Sequence, residues 1–129
     1  MTDHYETGNY ATIRDREIIQ IRALNDISQN SIVMSDKGII AECPYHALKP
    51  LPISDDALQK AGMVLRNTNN YPLHTKVIYS LSPTSQFYLQ GHLYEDKGIW
   101  TFKDITLYHF HQLQNLLRIC TTGVELKLF

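Results

Sequence analysis

Two cysteines, no long apolar run and almost no net charge are the first constraints this chain sets. Cys43 and Cys120 stand far apart without metal-ligand spacing, so neither a disulfide framework nor a thiolate metal site is expected. The natural reading is two buried thiols in a reduced, cytoplasmic protein. No window approaches the roughly 18 apolar residues of a membrane span, and the opening MTDHYETGNY has neither a basic segment nor an apolar run, so export and membrane insertion are not expected. A formal charge of -1, with 12 basic and 13 acidic residues interspersed, argues against a broad footprint for nucleic acid and leaves room for local basic patches.

A phosphate-cradling glycine loop, a serine elbow and paired helix carboxylates are also absent. Cys43 and His46 form a neighbouring thiol and imidazole pair, but no third orienting residue accompanies them. No catalytic residue, cofactor or metal ligand is assigned, and the expectation is a protein that is not an enzyme.

What is present is a β-rich text of 129 residues, long enough for one domain or two small lobes. Branched residues gather in NYATI, EIIQIRAL, SIVM and IIAEC, and the breaks RDR, NDISQN and SDKG carry turn chemistry. A small SH3-like antiparallel barrel or bent sheet is expected over residues 1–53. In KPLPISDDALQKAGM the prolines exclude a central strand, and Ser54 stands at a helix N-cap position with Asp55 and Asp56 in the first turn. Ile53 and Leu58 form a staple pair, and Gly62 closes the helix. Residues 54–70 are thus read as a linking helix and loop, the polar stretch NTNNYPLH running on to His74.

Residues 71–129 then give strands at TKVIYSL, SQFYLQGHLY and GIWTF. The repeated DKGI, at Asp36–Ile39 and Asp96–Ile99, suggests turns whose glycines take positive φ. Phe110, Leu113, Leu116, Leu117 and Cys120 follow at helical spacing, Gly123 ends the helix, and VELKL alternates as a final strand would. The fold class expected is α+β, with the C-terminal sheet packed by this one amphipathic helix.

Two surfaces are candidate ligand readers. His111, Asn115 and Arg118 share the helix face opposite the apolar stripe, which is either a recognition surface or a solvated back. His109 and His111, two residues apart on a helix, should diverge and share no metal. Alternation puts Tyr88, Gln90, His92 and Tyr94 on one strand face, suited to stacking a base, packing a peptide or lining the wet side of a sheet. Gly91, on the other face, reads either as an opening for a ligand or as a bulge.

GNYATI, LKPLPISDDALQKAGM and HQLQNLLRICTTGVEL together resemble small proteins of Bacteroidetes-type phages and mobile elements that end in an HQLQNL…TG helix. The match falls on Gly8, Asn9, Pro50, Leu51, Pro52, Leu58, Gly62, His111 to Leu116, Thr122 and Gly123, with Arg118 and Cys120 as departures. The resemblance implies a bacterial host as setting and attaches no activity. The function expected is a non-catalytic accessory protein that binds and sequesters a small nucleotide-like signal of host immunity. The alternatives are a protein-interaction or virion-associated module, and a hydrolase with scattered catalytic residues. A host or phage protein partner and self-association fit exposed aromatic faces and sheet edges.

Overall fold

Period-two alternation of branched residues builds most of this molecule. The computed structural model describes residues 4–14, 17–121 and 124–129. These fall into two units, one drawn from Met1–Pro52, His109–Glu125 and Phe129, the other from Ile53–Tyr108 and Leu126–Leu128.

In the first unit, β1 (Tyr10–Ile13), β2 (Glu17–Asn25), β3 (Asn30–Ser35) and β4 (Ile40–Pro44) run as an antiparallel meander, and the two-residue β5 (Lys49–Pro50) returns beside β1. The sheet order is β4-β3-β2-β1-β5, so β4 and β5 are edges of an open sheet, not of a closed barrel. Inward residues of alternate positions, Ala11, Ile19, Ile21 and Val33, meet Cys43 and Leu48 in one core. A bulge at Arg22 in β2 breaks the register with β3.

The helix α2 (Phe110–Cys120) also belongs to this unit, whereas its sequence position suggested packing on the C-terminal sheet. The physical reason lies in its polar side chains, which bond the segment leading into β1, and in the Phe110 N–H, which donates to the Leu51 carbonyl at 2.7 Å. Phe110, Leu113 and Leu117 are buried as the stripe requires, but Cys120, expected inside, is exposed in the last turn with Ile119. Gly123, assigned as the helix stop, lies outside the described residues. VELKL does not add a strand. Instead Phe129 sets its ring edge-on to Tyr10, 5.2 Å between centroids.

The second unit opens on α1 (Asp55–Lys60), whose N-cap is Ser54 as its sequence demands: Ser54 Oγ accepts from the Ala57 N–H at 3.1 Å. Gly62 closes it at φ +89°. Then β6 (Val64–Asn70), β7 (Thr75–Ser80), β8 (Tyr88–Leu93), β9 (Gly98–Phe102) and β10 (Ile105–Leu107) form an uninterrupted antiparallel meander. NTNN, expected as the start of a polar loop, is strand instead: β6 pairs with β7 from Val64↔Ser80 to Asn70↔Thr75, and α1 is tied to the sheet by Tyr79.

The two DKGI turns differ. Gly38 takes φ +78°, as expected, but Gly98 is not at positive φ. Gly98 and Gly91 instead make room for one ring: a Cβ on Gly91 would sit 2.4 Å from Trp100 Cζ3, and one on Gly98 2.9 Å from Trp100 Nε1. Gly91 is thus neither a ligand opening nor a bulge, since it holds regular register with Trp100 and yields its side-chain volume to the indole.

Candidate functional site

Helix α2 does not present its polar residues to solvent. His111 is 1% and Asn115 3% exposed, so the reading of a solvated or ligand-reading back does not describe them. Asn115 Oδ1 accepts from Asn9 Nδ2 at 2.9 Å, and Gln114 Oε1 accepts from the Tyr10 N–H at 2.9 Å while its Nε2 donates to the Gly8 carbonyl. Arg118 donates to Glu6 Oε1 at 2.9 Å and to the Thr7 carbonyl at 2.7 Å. These side chains read their own chain. His111 lies under Tyr5, ring centroids 4.5 Å apart, and burial pushes the Tyr5 phenol up to about 12. The rings of His109 and His111 stack at 5.7 Å and 10°, against the expected divergence, because His109 is extended at the N-cap and only His111 is helical.

Of the residues expected on one strand face, Tyr88, Gln90 and His92 do share it, and Gln90 Nε2 lies 2.9 Å from His92 Nε2 in a hydrogen bond. Tyr94 lies past the end of β8 and departs from this row to stack with His74, centroids 5.1 Å apart and 26° between planes. His74 also stacks on Tyr71, at 4.9 Å and 17°.

The Tyr88 face carries a cleft of about 530 Å³, walled by Arg66, Asn67, Tyr88, Gln90, Thr101 and Lys103 over Ile78. Two cations and no carboxylate line it. Tyr88 is 45% exposed. Arg66 sits at the register shift of β6 and donates to the Pro83 carbonyl, and Lys103 lies in the tight turn between β9 and β10 at φ +53°. Sequence reading missed both cations, because β6 looks like loop and Lys-Asp carries no strong turn signal. Lys103 follows β9, the neighbour of β8, but Arg66 lies on β6, two strands from the Tyr88 row across β7, so no pattern within one strand joins them.

His92 is held below its ordinary value of 6.5 by partial burial first, then by the nearby His74 and Lys76 charges. Its folded state therefore disfavours the imidazolium, so the stability contribution is present above pH 6.5 and is lost as pH falls through the lower folded value. The expected outcome is that His92→Asn flattens the fall of Tm measured from pH 7 downward. An unchanged profile would remove His92 from that acid response.

Burial pushes the Cys43 thiol up, so it is no readily formed thiolate beside His46. Among the described residues no three of His, Cys, Asp and Glu gather where they could hold a metal ion, and no helix is long and apolar enough to cross a membrane. No family model, curated protein or solved structure matches this chain.

Proposed function

We propose that the protein binds a small nucleotide-like molecule without turning it over, on the Tyr88 face of its second sheet. The observation that carries this reading is the exposed Tyr88 ring in one cleft with two cations, Arg66 and Lys103, and no acid. A base stacks on Tyr88, Asn67, Gln90 and Thr101 supply donors and acceptors for its edge, and the cations meet phosphate. A sheet face of this kind holds its side chains on rigid, paired backbone, which lowers the ordering cost of binding. A role in sequestering an immune signal of a bacterial host rests on the sequence resemblance alone.

Titration calorimetry with a panel of cyclic and ADP-ribose-type nucleotides tests the reading. Base stacking is worth roughly 1–3 kcal/mol, so Tyr88→Ala should weaken binding by about 5- to 150-fold at nearly unchanged Tm. Lys103→Gln should weaken it and reduce its salt dependence. Ligand recovered intact after prolonged incubation supports sequestration; a processed ligand makes the protein an enzyme. No binding across the panel sinks the proposal.

A second reading, a protein-interaction module, is favoured by one feature: β4 is an open sheet edge with Ile39 and Ile40 both largely exposed. Light scattering after size exclusion decides whether a second copy covers that edge, for which a stable interface buries about 1,000 Å² or more.

A further inference from the structure

The opposite face of the same sheet has the opposite charge. Residues alternate along β7, so Val77 and Tyr79 point away from the Tyr88 side, and on their side a cleft of about 570 Å³ opens beneath α1 and the β6–β7 turn. Asp55 and Glu95 line it, and no lysine or arginine does. Asp55 is held in place by the Tyr79 hydroxyl, which donates to Oδ1 at 2.5 Å and accepts from Gln59 Nε2 at 3.2 Å. Burial and that carboxylate push the Tyr79 phenol up to about 12, so it stays a donor to Asp55.

The rest of the lining is apolar or aromatic. Tyr71 and Tyr94 are both substantially exposed, and Leu65, Leu73 and Leu93 add aliphatic surface. The two tyrosines are already stacked on His74, at 4.9 and 5.1 Å, which leaves no slot between rings for a planar guest. A compact cation asks for less: a ring within about 6 Å attracts it through the negative face of the π system, and nearby carboxylates add a long-range field. An anion would meet two carboxylates with no lysine or arginine beside them.

We propose that this cleft binds an alkylated ammonium ion, with the exposed Tyr94 ring against its N-alkyl groups and Asp55 and Glu95 supplying the negative field. The aliphatic side chains desolvate the methyl groups, and the carboxylates select charge. The site shares no lining residue with the Tyr88 cleft.

The test uses choline and its neutral carbon isostere, 3,3-dimethyl-1-butanol, titrated into the full chain by two-dimensional NMR. Choline is expected to give saturable shifts confined to the Tyr71, His74 and Tyr94 region and to bind about 2- to 30-fold tighter than the isostere, the factor that cation–π attraction supplies. Glu95→Gln should erase part of that preference without changing the isostere's affinity. Tyr94→Leu should weaken choline several-fold, and Tyr88→Ala should leave it unchanged. Glu95 and Tyr94 are exposed, so both variants are expected to fold, which an unchanged Tm verifies. Equal affinity for the two probes, no saturable choline binding, or binding indifferent to both substitutions would each overturn the proposal.

Discussion

Gly91→Val should be among the most damaging single substitutions in this protein, and Gly91→Ala should already destabilise it. A Cβ at Gly91 would stand 2.4, 2.6 and 2.8 Å from three carbons of the Trp100 six-membered ring, closer than side chains tolerate. The indole is 2% exposed and has nowhere to retreat. Overpacking of this kind costs about 1–3 kcal/mol for one added methyl, with valine at or beyond the upper end. A double-mutant cycle isolates the cause. Trp100→Leu removes the ring and costs about 3 kcal/mol by itself. In that background Gly91→Ala should be neutral or stabilising by about 0.4–1 kcal/mol, since a glycine at ordinary φ loses unfolded-state entropy when it gains a methyl. Urea melts of the four proteins read the coupling. If Gly91→Ala costs the same with and without the indole, the clash is not its cause.

The same pair shows how far pattern reading reaches. Alternation alone set Gly91 and the apolar row of β8 on one face and Tyr88, Gln90 and His92 on the other, and the structure keeps that division. It did not give Gly91 its partner, because register between β8 and β9 depends on the connecting turn and not on either strand's composition. The polar β6 shows the complementary failure. Its Asn-rich text resembles loop because an edge strand with both faces wet has no apolar row to advertise. Its ladder is held by backbone bonds, which no side-chain pattern records. β10 escaped notice for a related reason, being three residues behind a Lys-Asp turn without glycine.

Charge pattern was legible only where backbone order was. Arg66 and Lys103 complete the Tyr88 cleft from other parts of the sheet, at a bulge two strands away and at the turn after β9, two features whose positions follow from pairing. The amphipathic reading of α2 misled in a different way. Polar residues opposite a stripe mean solvent only if no chain segment covers them, and here Gln112, Gln114 and Asn115 are all buried. Short polar side chains serve a packed backbone well, because an amide offers a donor and an acceptor at once. That is the use Asn115 and Gln114 make of it.

Paired removal of those two amides, Gln114→Ala with Asn115→Ala, is accordingly expected to be severe for a substitution of helix-surface type. Gln114 satisfies the Tyr10 N–H and the Gly8 carbonyl, and Asn115 satisfies the Asn9 side chain, whose own Oδ1 accepts from the Glu6 N–H at 2.7 Å. Asn9 and Tyr10 are fully buried, so water does not replace what is lost. A buried group left without its partner costs about 1–3 kcal/mol, so each single change should cost that much. The double change should cost less than the sum of the singles if the two amides hold one segment cooperatively, and their sum if they act independently. Arg118→Ala, by contrast, removes an ion pair with a half-exposed Glu6 and should cost at most about 1 kcal/mol. Hydrogen exchange supplies the spatial check: protection at Gly8 and Tyr10 should fall in the amide variants before the β2–β3 ladder loosens. Were α2's polar side chains a free surface, both amide variants would melt within about 0.5 kcal/mol of the parent, and the helix face would return to consideration as a ligand reader.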